Sequence, residues 1–282
     1  MSEYYGRRWQ INVDGKPFIE QTDGAQFKIT FQIIVDFGGS NSYADIAIYN
    51  LREDTIGKIF ARGKPVSFKA GYVDMVDTIF IGVIQNVLRE RQGANTITRL
   101  ICRSETIRTV INQSFGAGVD IVTLIRACST ATGYPVVIEP SQFNDVPVYS
   151  GGYVLSGDPR VLLDTLARAH GFTHIVENGR RIIVRKGFKR NTAPFVISQF
   201  TGMEGIPEIT EVGCDVTVRL NPKILIGGEI DIRSQLSTFN FGNLYYQNIP
   251  KSAGKGIYKV QKIEHTGDSY ADTWSTKITS IR

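Results

Sequence analysis

Apolar and polar positions alternate with a period of two through most of the first third of the chain. "WQINVDG" alternates and ends in a turn dipeptide, and "FKITFQIIVDF" follows, closed by "GGSNS". In "YADIAIYNL", Ala44, Ile46 and Ile48 share a face; in "PVSFKAGY", Val66, Phe68, Ala70 and Tyr72 do. This is the pattern of half-buried antiparallel strands. "TIFIGVIQNVL" is apolar on both faces and predicts a central strand, with Gly82 marking a bulge or a close backbone approach. "RERQGAN" then turns the chain into "TITRLICRS". Short strands at this spacing predict a sandwich or small barrel. A brief helix is expected in "NLREDTIGKIFARG", beginning near Asp54 and stopped by Gly63.

The period changes between about residues 105 and 190. "DIVTLIRACSTATG" sets Ile121, Leu124, Ile125 and Cys128 on one helical stripe, with Gly133 as its stop. "DPRVLLDTLARAHG" has Asp158 at the N-cap, Pro159 at the first helical position, and an apolar face of Leu162, Leu163, Leu166 and Ala169, ended by Gly171. "FTHIVENGRRIIVRKG" predicts a hairpin whose Asn178–Gly179 turn suits type I′. The two-residue period returns after about 195 in "EVGCDVTVRL", "KILIGGEIDIRS", "GIYKVQKIEHTG" and "WSTKITSIR". The expected plan is mainly β (α+β): a first β-domain at 1–104, an inserted α/β domain at 105–192 and a second β-domain at 193–282. Both β parts end in strand, polar turn and Thr-rich strand, which suggests a duplication.

Composition changes this picture little. The 282 residues are 42% hydrophobic and 21% charged, ordinary values for a globular protein. Charge is more telling. Arg180, Arg181, Arg185, Lys186, Lys189 and Arg190 form a run without an acid and by themselves exceed the net charge of +5. The rest of the chain is near neutral, unlike the pervasive basic field of a dedicated nucleic-acid binder. The run is either a solvated hairpin or a contact for an anionic partner, an acidic protein surface or DNA. Only Phe188 lies among these cations, which weakens base stacking on single strands.

Candidate chemistry is sparse. Cys102, Cys128 and Cys214 are odd in number and widely spaced, so they are expected as small buried hydrophobes in a chain folded in a reducing compartment. His170 and His174 stand four apart, but Gly171 breaks the helix they would need to share for zinc. Glu229 and Asp231 share a strand face, the one arrangement that invites thought of a glycan or peptidoglycan hydrolase. No nucleophile elbow or phosphate loop occurs, and no cofactor is expected. No secretory leader or membrane-spanning run is visible.

The patterns "ADIAIYNL", "VSFKAGY" and "DTIFIGVIQNVLRE" resemble the first β-domain of bacteriophage baseplate and tail hub proteins, and "NPKILIGGEIDI" with "GIYKVQKIEHTGDSYADTWSTKI" is similar to the second. "LLDTLARAHGF" and the hairpin after it suit the inserted α/β part. The resemblance implies two tail-tube-like antiparallel β-barrels per chain and a homotrimer forming a pseudo-six-fold ring. That ring would join the tail tube protein to the central spike protein around a channel for genome DNA. It implies a non-enzymatic component of the virion tail, assembled in the host cytoplasm, with no catalytic or metal residues. A neighbouring ring protein, such as a distal tail or tube-initiator protein, is the alternative within the same machinery.

Overall fold

The computed structural model describes residues 6–20, 27–37, 41–53, 56–57, 60–105, 109–210, 212–236, 238–239 and 255–282. The first region holds β1 (Arg7–Val13), β2 (Lys16–Glu20), β3 (Ile29–Asp36), β4 (Tyr43–Tyr49), β5 (Pro65–Tyr72), β6 (Met75–Gln92) and β7 (Asn95–Arg103). Then come β8 (Ile111–Phe115), helix α1 (Ile121–Ala131), β9 (Val136–Val137), β10 (Tyr153–Gly157), helix α2 (Pro159–His170), β11 (Phe172–Glu177) and β12 (Arg180–Arg185). The last region holds β13 (Phe195–Ile197), β14 (Met203–Ile209), β15 (Gly213–Arg219), β16 (Glu229–Arg233), β17 (Thr238–Phe239), β18 (Lys255–Asp268) and β19 (Trp274–Ile281). The protein is mainly β. Asp54, the expected start of the early helix, lies outside the described residues; Glu53, Ile56 and Gly57 are helical.

The alternating positions bury as their period requires. Val66, Phe68, Ala70 and Tyr72 of β5 face one core with Trp9, Ile11, Ile29, Phe31, Ile33, Ile46 and Leu100. Val216, Val218, Ile230, Ile232, Val260, Ile263 and Ile278 face a second. The α1 stripe of Ile121, Leu124, Ile125 and Cys128 faces a third, with Leu155, Leu163, Leu166 and Phe172. Asp120 caps α1 by accepting from the Thr123 amide at 2.6 Å, and Asp158 caps α2 through the Arg160 amide at 2.9 Å. One expectation shifts here: Ala167, and not Ala169, completes the buried face of α2, because it lies one turn beyond Leu163. Gly82 marks a close approach: a Cβ there would sit 2.4 Å from the Arg103 carbonyl oxygen. The neighbouring bulge falls between Ile84 and Asn86. Asn178 and Gly179 have φ of 47° and 74°, the left-handed pair of a type I′ turn.

The strand ladder was expected as two barrels. It runs as one path, β17-β14-β15-β19-β18-β3-β4-β7-β6-β5-β1-β2, with β16 and β13 branching from β18. Among the described residues no hydrogen-bonded pair closes it. The two β regions join where β18 pairs with β3 over seven rungs, from Lys262↔Asp36 to Asp268↔Thr30.

Within that path one five-stranded unit occurs twice. In β3-β4-β7-β6-β5, Val83 pairs with both Pro65 and Arg103. In β14-β15-β19-β18-β16, Lys259 pairs with both Glu229 and Ile281. Both long strands skip one residue at the same point, Gln85 and Gln261. Beyond it, Arg89 is opposite Thr98 and His265 is opposite Thr276. The next strands continue in step, with Tyr43↔Arg103 matched by Gly213↔Ile281. Even a cross-strand ion pair recurs: Arg99–Asp45 at 3.1 Å in the first unit, Lys277–Asp215 at 3.6 Å in the second.

Candidate assembly interface

The basic run does not form a positive patch. Arg181 is fully buried and pairs with the equally buried Glu105. Its guanidinium also donates to Thr132 Oγ1 at 3.2 Å and lies 5.9 Å from the Tyr134 ring centre. Arg190 pairs with buried Glu177 at 2.5 Å. Arg185 is engaged by Asp145 and the Gln142 carbonyl, and Lys189 by Glu229 at 2.7 Å. Arg180 and Lys186 stay exposed. The acids come from segments 13 to 76 residues away, so nothing within the run announces them. Burial holds the Glu105 and Glu177 carboxyls above the usual carboxylate range, outweighing their arginines. Leaving one partner of such a buried pair alone costs about 3–5 kcal/mol.

The β11–β12 hairpin that carries this run is the keystone of the molecule. Ile175, Ile182 and Val184 enter the second core, while Phe172 and Ile183 enter the third. The Val176 carbonyl accepts from Ser42 Oγ at 2.7 Å, and the Asn178 amide donates to the Thr78 carbonyl at 3.1 Å, both in the first β region. Glu177 accepts from the Ile226 amide at 3.0 Å in the second. The hairpin therefore clamps both β regions. Sequence reasoning missed Glu105 and Glu177. Their neighbours offered no signal, since a lone acid beside a strand is usually solvated.

The other candidates scatter. His170 Nε2 meets the Tyr149 hydroxyl at 2.6 Å, while His174 Nε2 meets Asp164 at 2.8 Å and its Nδ1 faces Arg181 at 3.3 Å, so the two rings serve different partners. Glu229 is held by Lys189 and Asp231 by Arg233 at 2.7 Å. Both carboxylates of the pair are thus neutralised by their own cations. The three cysteines are buried and free, and burial pushes Cys102 and Cys214 up to about 12 and Cys128 to about 11. An open cleft of about 770 Å³ runs between the 187–191 segment and the β18–β19 corner; Phe188, Ile257 and the Lys189–Glu229 pair line it. No helix among the described residues is long and apolar enough to cross a membrane.

What remains exposed is sheet edge and apolar side chain. Phe200, Ile206, Val212 and Leu236 stand out around β14, and Leu88 on the far half of β6. Residues 86–92 of β6 have β7 on one side and, among the described residues, no strand on the other. These are surfaces suited to protein contact.

The fold recurs in solved structures. The 43 kDa tail protein of prophage MuSo2 from Shewanella oneidensis is similar at a TM-score of 0.63, with 11% identity over 98% of both chains. The tail protein from Neisseria meningitidis MC58 is similar at 0.63, with 10% identity over 99% of this chain and 97% of that one. A third is the E. coli c3393 protein, a type VI secretion system component with structural similarity to T4 tail proteins gp27 and gp5. It is similar at 0.51, with 8% identity over 96% of this chain and 76% of that one. The fold is that of phage tail proteins. Comparison with curated proteins returns no match. The family model described as baseplate hub gp41 matches residues 44–243, and the chain belongs to that baseplate hub family.

Proposed function

We propose that the chain is the structural, non-enzymatic hub of a phage tail baseplate. Each copy contributes two tail-tube-like β-barrel units, at 1–104 and 193–282, with the insertion at 105–192 clamping them together. Three copies form a pseudo-six-fold ring that joins the tail tube to the central spike, and the genome passes through its lumen without specific binding. The ring assembles in the host cytoplasm and stays in the virion tail. The observation that carries this reading is the internal repeat: two units of one register stand side by side in one ladder, so three chains supply the six-fold matching that a six-fold tube requires. Arg180 and Lys186, exposed cations of the basic run, are assigned to contact with neighbouring tail proteins. Electron microscopy of tails carrying an affinity label on this subunit tests the reading. Three labels per tail at the tube–spike junction are expected. Label along the tube, or none on the particle, overturns it.

A further inference from the structure

The chain already makes the joint that a ring needs, once, within itself. In the second unit the far half of β18, residues 262–268, is covered by β3 of the first unit. The matching far half of β6, residues 86–92, lacks a covering strand among the described residues. The strand that matches β3 is β14, because β3 pairs with β4 as β14 pairs with β15. Along its outer edge β14 carries only the two rungs of β17, Glu208↔Thr238 and Ile209↔Phe239.

We infer that residues 86–92 of β6 pair antiparallel with β14 of a second copy, repeating between chains the β18–β3 joint found within one. This rests on the hub reading and names its copy-to-copy contact. The register follows from the repeat. Glu264 is opposite Ile34 within the chain, and the matching residues are Leu88 and Thr210. Leu88 is exposed, as is Ile206 on β14. The new joint replaces the two β17 rungs with a longer ladder.

A buried atom supports the same edge. In the covered unit, Thr276 Oγ1 meets His265 Nδ1 at 2.8 Å and accepts from the Asn221 amide at 3.1 Å. Its match, Thr98, is equally buried, yet its hydroxyl has no partner. The residue facing Thr98 across the rung is Arg89, and Arg89 lies exposed against Glu53. A buried hydroxyl without a partner is costly. Across the rung, a strand laid along β6 would shield Arg89 as β3 shields His265.

Two singly substituted chains, L88C and T210C, test the joint when co-expressed in assembled tails and treated with a short bifunctional thiol cross-linker. Directly opposed residues in a sheet have Cβ atoms about 4.5–5.5 Å apart, within such a linker's span. The mixture is expected to give cross-linked dimers that neither chain gives alone. The intrachain pair I34C/E264C, closing within one copy, certifies the geometry. Tails that contain both chains and give no mixed dimer while that pair closes overturn the inference and leave the hub reading standing. L88C cross-linking to itself overturns it too, since that is a two-fold contact. Exclusion of unsubstituted protein from tails overturns the hub reading and this joint with it.

Discussion

In the first β unit Arg91 projects from an open strand edge; at the matching rung of the second unit stands Gly267, roofed by the ring of Phe31 from β3. A few rungs along, exposed Arg89 is matched by fully buried His265. The two units share pairing, bulge and ion pair, so their backbones obey the same rules. They differ where a neighbouring strand lies against one and not the other. Edge coverage, and not local propensity, decides which residue type each rung tolerates. Charged side chains on an open edge guard it against pairing with the wrong strand.

The comparison breaks hardest at Trp274. This side chain starts β19 of the second unit but fills the first core, edge-on to Phe31 at 5.1 Å, and its indole N–H donates to the Gly71 carbonyl at 3.1 Å. Trp274→Ala should cost about 3–5 kcal/mol. Thr96, its match in β7, pairs with Arg91 in the exposed end of its hairpin, and Thr96→Ala should change stability by no more than about 0.5 kcal/mol. Denaturant unfolding of both variants checks this. Equal losses would mean that the two units are independent and do not share a core.

Next in size is a pH effect confined to the covered unit. Burial lowers His265 to about 4, against an ordinary 6.5. Between those values the unfolded chain binds a proton that the folded chain refuses. Stability is therefore full above about 6.5, falls with pH through this window, and has lost about 3 kcal/mol by pH 4. Glu105 and Glu177, raised by burial, act with the opposite sign, because the folded state holds their protons more readily. The difference between wild type and His265→Gln isolates the histidine, and the variant's stability curve should be flatter between pH 4 and 6.5. Identical curves would show that His265 titrates in the fold as it does in the unfolded chain, with no shift from burial.

Gly267 gives the third test. A Cβ there would meet the Phe31 ring at 2.4 Å, so Gly267→Ala should cost about 1–3 kcal/mol by overpacking. Arg91→Ala, at the open match, should stay within about 0.5 kcal/mol in the isolated chain. Thermal unfolding of the pair measures the difference, and a tolerated Gly267→Ala would mean that the β18–β3 joint opens readily.

Much of this was legible in the sequence. Period two located the strands, the Ile121–Cys128 stripe located α1, and Asn178–Gly179 located the hairpin turn, because each depends on neighbours within one turn or one rung. The repeat showed only as a shared strand–turn–strand order. Its strongest mark, Gln85 and Gln261 at the bulge, sits among residues such as Ile84 and Val260 that conserve bulk and not identity. The basic run was visible and its meaning was not. Glu105, Asp145 and Glu229 reach it only through tertiary folding, and a linear pattern carries no trace of that. The β18–β3 joint was illegible for the same reason, since it links strands more than 220 residues apart.

The smallest effect compares the recurring ion pairs. Arg99 binds Asp45 at 3.1 Å and also reaches Glu90 at 3.5 Å, while Lys277 meets Asp215 alone at 3.6 Å. Partly exposed pairs of this kind couple by about 0.2–1 kcal/mol, and a planar guanidinium orders its partner better than an ammonium. A double-substitution cycle should give the larger coupling at Arg99–Asp45. The single variant behaves otherwise. Burial raises the Asp45 carboxyl despite Arg99, so the charged form costs the fold more than its partner returns. Asp45→Asn should therefore leave stability within about 0.5 kcal/mol of wild type at neutral pH, even though the coupling is real. A large loss on Asp45→Asn would mean that the ion pair itself holds β4 to β7, and that its recurrence in the second unit is a structural requirement and not a relic of shared register.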